Sequence, residues 1–344
     1  MSIILKELLF SPVTRKICNL YYASDKVAKD LKLMTNIKFP YAAVLVTLSL
    51  WAGPAHSEIS PEEAWAHIVS RAQASDYLVS AITSTEADQL TVSDIVFRTR
   101  DFDAGFSLEF EAGDWQFIPQ SDGSVRLNMA KDARWDLKFR DMDDERVEIK
   151  VTQINKDSFV VFKREDDEIK SEHEWGSLRL DLLKINDDAK EIGEDQVQFS
   201  VTFNDISGST SFHQSDFNAS NGSTNIAAVW VDLNVAPNGE DFRASWRASL
   251  NDIVLSSTSQ TRDRVSLQDF EKALSLGMNS AMTYSHGGGQ TEFRYFGEDG
   301  DVVISSSSVG GRISADLSKL GINFLSEMTG WDVSVMGSLV PMPF

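Results

Sequence analysis

Cysteine is nearly missing from this 344-residue protein: Cys18 is the only one, and no thiol occurs from Glu58 to Phe344. That stretch can build no disulfide, no thiol nucleophile and no Cys-ligated zinc or iron–sulfur centre. Missing too are G-x-S-x-G, the Walker loop and H-E-x-x-H, the local patterns of a nucleophile elbow, a phosphate cradle and a zinc protease. Basic charge is also short, with 32 Lys and Arg against 52 Asp and Glu. Seven of the basic and three of the acidic residues fall in residues 1–57, which leaves 25 against 49 and a net charge of −24 beyond them. Such a field repels nucleic acid, whose binding depends on cations neutralising phosphates, and disfavours anionic head groups. No apolar run approaches the roughly 20 residues that span a bilayer.

The longest apolar run, Tyr41 to Trp51, follows Met34 and Lys38 and is followed by Gly53-Pro54 and Ala55-His56-Ser57. A short positive region, an apolar core and a small-x-small ending are the parts of a secretory signal. Residues 34–57 are therefore expected to be a cleaved signal peptide, with the mature protein starting at Glu58. Residues 1–33 are read as an upstream extension outside the fold. This predicts export to the periplasm, with secretion or outer-membrane association as the alternative, and no integral membrane span after cleavage.

Ser60-Pro61-Glu62-Glu63 has the N-cap, first-turn proline and third-position glutamate of a capping box. Ala64, Trp65, Ile68, Val69 and Ala72 continue it at helical spacing. A second helix is expected from Ser266, with Leu267, Phe270, Ala273, Leu274 and Met278 as its apolar stripe. Nearly all else reads as strand. Short alternating runs cover 91–100, 105–111, 114–119, 124–129, 134–139, 146–153, 158–164, 177–185, 196–206, 211–219, 225–235, 281–285, 290–296, 302–308 and 311–317. Turns are expected at Asp103-Ala-Gly105, Gly113-Asp114, Ser121 to Ser124 and Asp141 to Asp144. Hairpins are expected across His286 to Gly289 and Gly297 to Gly300. Ser207 to Asn225, rich in Ser, Asn and Gly, reads as a partly mobile connection.

One motif recurs on both halves of the sequence. Leu90 to Ile95 is L-T-V-S-D-I, Gln198 to Ser207 is Q-F-S-V-T-F-N-D-I-S, and Trp246 to Ile253 is W-R-A-S-L-N-D-I. In each the apolar alternation breaks step at the aspartate: Phe199, Val201 and Phe203 share one parity and Ile206 the other. One extra residue at Asp94, Asp205 and Asp252 restores a single apolar face, which predicts a β-bulge at each. The fold class that follows is mainly β: an extended, bent antiparallel sheet, half-pipe or sandwich-like, with two or three flanking helices. One continuous body is expected rather than two lobes meeting near Ser256 to Val265.

Candidate chemistry is sparse. His67 sits in the first helix, His213 in a Ser-rich strand and His286 before three glycines; Glu172-His173-Glu174 is read as an exposed turn. Asp141 to Glu145, Glu165 to Glu168 and Asn186 to Asp188 are acidic runs without EF-hand spacing and read as solvated turns. No catalytic or metal residue is assigned, no ligand-binding residue is known, and no cofactor is expected. Residues 282–293, 305–311, 313–317, 337–343 and the Pro61-Glu-Glu-Ala-Trp65 start resemble a family of exported alphaproteobacterial proteins classed as a domain of unknown function. The resemblance implies no activity and no residue roles; that family continues past the Pro-x-Pro, which would make this sequence truncated at its C-terminal end, with an open sheet edge. The function expected is a non-enzymatic envelope scaffold, or a binder of a lipid-like amphiphile along an apolar face that includes Phe199, Val201 and Phe203. A periplasmic hydrolase using an Asp/Glu pair is the alternative, and protein partners are unknown.

Overall fold

The computed structural model describes residues 58–75, 77–99, 107–140, 146–165, 168–187, 190–214, 217–237, 242–262, 274–298 and 300–337. The upstream segment, the signal, the turns at Asp103 and Asp141, and most of the helix expected from Ser266 lie outside them.

Helix α1, Pro61–Ala74, begins as its sequence dictates: Ser60 Oγ accepts the Glu63 N–H at 3.1 Å, and Glu63 Oε2 accepts the Ser60 N–H at 2.9 Å. Its buried stripe, Ala64, Ile68 and Ala72, packs on β1 (Tyr77–Glu86), β2 (Gln89–Thr99) and β3 (Ser107–Pro119). Trp65 meets Trp115 and Phe117 edge-on, each at 6.1 Å between ring centroids. This is the first of two apolar cores.

The strands then run as an antiparallel meander: β4 (Val125–Asn128), β5 (Asp132–Arg140), β6 (Arg146–Glu165), β7 (Glu168–Asp187), β8 (Lys190–Gly193), β9 (Val197–Gln214), β10 (Phe217–Val235) and β11 (Arg243–Arg262). After them come β12 (Asn279–His286), β13 (Gly288–Gly297), β14 (Gly300–Ser308), β15 (Gly310–Ser318), β16 (Gly321–Thr329) and β17 (Asp332–Gly337). All seventeen belong to one sheet, so strands on both sides of residues 256–265 are hydrogen-bonded into the same body. The mainly β expectation holds, and among the described residues α1 is the one full helix.

Several boundaries differ from the sequence reading. The runs at 146–153 and 158–164 are one strand, β6, carrying Asp157 at φ 51°. Gly113-Asp114 lies inside β3, with Gly113 at φ 71°, and makes no chain reversal. Ser207 to Gln214 and Phe217 to Asn225 are no loose connection: they are the paired ends of β9 and β10, with hydroxyl and amide residues on both faces. His286 to Gly289 is no hairpin either. Strands β12 and β13 lie end to end along β11, as β14 and β15 do along them, and β16 and β17 continue the pattern at the edge. Glycine suits a bend in a strand as well as a tight turn, and composition alone does not separate the two. The hairpin across Gly297 to Gly300 is present, with those two glycines paired.

The expected break in step is present at all three aspartates, but only Asp94 carries a register shift; at Asp205 and Asp252 the partner strand also skips a residue, so these are kinks with register kept and not two-against-one bulges. Asp94, Asp205 and Asp252 have φ of 50°, 48° and 51°. Where β7 meets β9, Trp175 pairs with Ile206 and Ser177 with Asn204, so Gly176 and Asp205 are both skipped. The same break skips Ala227 opposite Asp205 and Asp252, and Asp157 opposite Gly176. In β6, β7, β9, β10 and β11 one residue is skipped at the same level, so side-chain parity switches in each while register is kept across the break. The line of breaks is a crease across the sheet. Glycine is required beside it: a Cβ at Gly287 would lie 2.8 Å from Asp252 Oδ2, and one at Gly176 3.2 Å from the Asp157 Cβ.

Candidate functional site

Because of the crease, residues on both sides of it share one face. Leu178, Phe203, Val229 and Leu250 stand opposite one another on one side; Trp175, Ile206, Ile226 and Ile253 do so on the other. These residues, with Val201, Tyr284 and Ile313, make the second apolar core. Further rows continue the face: Leu180, Val201, Val231, Ala248 and Thr291; then Val197, Val235, Ala244, Tyr295 and Val302. The opposite face carries Ser200, Thr202, Asn204, Asp232, Arg247 and Ser249 at the alternating positions. Helix α1 packs on β1 to β3 and leaves β10 to β17 without a described helix above them.

Val201, Ile206, Ile226 and Ile253 are nevertheless 0–3% exposed. Among the described residues no helix lies over them; their apolar neighbours are side chains of the adjoining strands β7, β9, β10, β11, β12 and β15. Shielding fades along the meander. Phe199, Leu250, Phe293 and Ile304 are half-buried, while Ile322, Phe324 and Met328 on β16 are exposed. The result is an apolar trough, closed near β7 to β11 and open toward β16. Helix α1 reaches its other side, where His67 touches the rings of Phe162 and Phe212 at 6.4 and 5.9 Å and Arg71 lies over Phe212. Burial pulls the Arg71 guanidinium down to about 10.

The histidine assignments change with the fold. His173 is not in an exposed turn: it sits in β7, 1% exposed, with its ring over Gly208 and 5.1 Å from Trp175. Alternation, which separates His173 from Glu172 and Glu174, is what turns it inward. Its Nε2 lies 3.3 Å from Thr224 Oγ1, and its buried Nδ1 has no protein partner. Burial lowers its pKa to about 4. An imidazole at about 6.5 when unfolded and about 4 when folded makes the unfolded state bind more protons between those values. Stability is therefore whole above pH 6.5 and falls as pH drops toward 4. About 2 kcal/mol should be lost between pH 7.5 and 5, read by urea titration at both, and His173→Gln should remove that part of the slope.

Gly208 gives the ring its room. A Cβ there would lie 2.3 Å from the Ser223 carbonyl oxygen and 2.7 Å from His173 Nε2. Paired backbone yields less readily than the end of a flexible side chain, so Gly208→Ala should destabilise by about 2 kcal/mol in denaturant unfolding. His286 closes β12 on the apolar face, 5.7 Å from the Tyr284 ring, and burial lowers its pKa. His213 is exposed, 3.6 Å from Glu168.

Carboxylates take structural places. Asp136 and Glu148 both approach Lys138 and Lys150, at 3.2 to 3.5 Å, on neighbouring β5 and β6. The Asn186 amide, with those lysines, holds Glu148 down at about 2, where a carboxyl cannot serve as a general acid near neutrality. Glu165 and Glu168 pair at the base of the β6–β7 hairpin, and Asp141 to Glu145 lies outside the described residues. Among the described residues no three His, Cys, Asp or Glu side chains gather as metal ligands. Two depressions, of about 270 and 390 Å³, are lined mainly by residues of the polar face. No described helix is long and apolar enough to cross a membrane.

Sequence reasoning picked out Phe199, Val201 and Phe203, and the structure joins them with residues of β7, β10, β11, β12 and β15. It missed His173, whose signal was the alternation of β7, and the strands β16 and β17, whose apolar residues fall on both faces. Comparison of the sequence with family models, curated proteins and solved structures finds no match.

Proposed function

We propose that the protein binds a lipid-like amphiphile along the apolar face of its creased sheet, as a non-enzymatic protein of the cell envelope. The observation that carries this is the asymmetry of the sheet on the Val235 side of the crease: from β9 to β14 the inward rows are mostly apolar and only partly shielded, while the other face is mostly Ser, Thr, Asn and charge, with Trp230 and Phe296 as exposed exceptions. A hydrocarbon tail lying there removes apolar area from water at about 25 cal/mol per Å², and about 400 Å² so covered is worth about 10 kcal/mol before the cost of immobilising the tail. The remaining backbone polar groups of the face are already paired in the ladder, so an apolar ligand leaves none of them stranded. The negative charge beyond residue 57 fits a protein that takes up its ligand without adhering to anionic membrane surfaces. Export is part of the proposal and rests on the signal-like segment at 34–57.

Native mass spectra of protein purified without detergent test the reading. Adducts of lipid mass, lost on adding detergent, are expected. A bare protein mass in gentle preparations, together with no uptake of added fatty acyl probes, would overturn it.

A further inference from the structure

Polarity along the inward face changes at the crease. Toward Val235 and Ala244 the rows are mostly hydrocarbon, with Thr291, Ser306, Ser308 and the Tyr295 hydroxyl as exceptions. Toward the β6–β7 hairpin the first row past the crease is still apolar, and hydroxyls then enter the rows. Ser171, Thr210, Gly222 and Ser257 stand opposite one another, with Met282 beyond them, and the next inward row runs Ile169, Phe212, Ser220, Ser259, Ser280 and Leu317. Ser220 and Ser259 share a hydrogen bond of 2.7 Å across the ladder.

A stripe of small residues alone marks close packing. A second observation points to a ligand: Ser171, 0% exposed, and His173, 1% exposed, both face this stripe, and Ser171 Oγ and His173 Nδ1 are buried without a partner. An orphaned polar atom in a dry interior is costly, and a ligand hydroxyl would relieve it. A hydroxyl both donates and accepts, so it satisfies the imidazole in either tautomer. Charge narrows the chemistry further. Among the described residues from β9 to β15, no Lys or Arg falls at an inward position; beside Ser171, Arg164 of β6 is held by Glu63 at 2.9 Å and Arg71 of α1 is turned onto the Phe212 ring. An anionic head would have to displace Glu63 from Arg164 to find a counter-ion there.

We infer that the amphiphile carries an uncharged, hydroxyl-bearing head group, seated between Ser171, His173 and the Ser257 and Ser259 hydroxyls, with its hydrocarbon tail crossing the crease toward Ala244. This rests on the trough reading above. Reaching Ser171 and His173 requires the head group to part the side chains that now cover them, while Ser257 is already exposed.

Two probes with the same tail decide it: 1-monooleoylglycerol, neutral with two hydroxyls, and oleate, anionic, each titrated against the protein at pH 8 by native mass spectrometry. The neutral probe is expected to bind about tenfold tighter. Ser257→Val with Ser259→Val, and separately Ser171→Ala, should each weaken it about three- to tenfold and leave oleate unchanged. Oleate binding as tightly as the neutral probe, or Ser171→Ala raising the melting temperature with no loss of affinity, overturns the head-group assignment and leaves the trough standing. Failure of both probes to bind overturns the trough reading beneath it.

Discussion

Deleting Asp205 should lower the melting temperature by about 10 °C, whereas Asp205→Gly should leave it nearly unchanged. The deletion removes the one residue that switches parity in β9. Either Phe199, Val201 and Phe203 or Ile206 and Phe212 must then turn to the polar face, and Gly176 and Ala227, which are skipped beside Asp205, lose their counterpart. Exposing one such residue costs about 1.5–3 kcal/mol, so two or three cost about 5 kcal/mol in all. At about 2 °C per kcal/mol for a protein of this size the fall is about 10 °C. Glycine keeps the residue count and accepts φ 48° more easily than aspartate does. A β-branched residue keeps the count but not the conformation, so Asp205→Val should cost about 1–3 kcal/mol through strain alone. A deletion variant that melts within about 2 °C of the parent would show that parity at this position is not what holds the two halves of the face together.

Leu250→Asp should lower affinity for an acyl ligand at least about a hundredfold, while Ser249→Asp, one residue away on the polar face, should lower it less than about twofold. Leu250 stands between Val229 and Gly289 in the middle of the trough, half-buried. A carboxylate there must keep its water, and hydrocarbon laid over it would strip that water away at a cost of several kcal/mol. At Ser249 the same charge stays in solvent on a face that the ligand does not touch. Melting curves of both variants separate a binding loss from unfolding. Equal losses at the two positions would place the ligand elsewhere.

Much of this architecture was legible in the residues. The capping box at Ser60 fixed where α1 begins, and the out-of-step isoleucines after Asp94, Asp205 and Asp252 marked three kinks that the backbone confirms with positive φ. Asp157 was not legible, because Lys156-Asp157-Ser158 lacks the flanking alternation that made the other copies stand out. The collinear pairs β12–β13 and β14–β15 were hidden because His286-Gly-Gly-Gly289 has hairpin chemistry; only the position of Gly287 beside Asp252, a contact between distant segments, turns it into a crease residue. His173 shows the same limit. Flanked by two glutamates it reads as solvent-facing, and what buries it is Gly208, thirty-five residues on, which leaves space for the ring. The hydroxyl-rich half of β9 and β10 looked loose because small polar residues serve both as loop formers and as paired strand residues.

The most direct test of a creased, ligand-bearing face is a single-cysteine scan of β11 from Ser245 to Ser256, feasible because Cys18 is the only native thiol and can be replaced. Each position carries a fluorophore, and a fatty acyl probe with a nitroxide on its tail serves as quencher. Strong quenching is expected at Trp246, Ala248 and Leu250, then, after the step at Asp252, at Ile253 and Leu255, with Ser245, Arg247, Ser249, Val254 and Ser256 dark to the probe. Quenching that ignores the step at Asp252, or that is equal on both faces, would contradict a single apolar face as the site where the amphiphile lies.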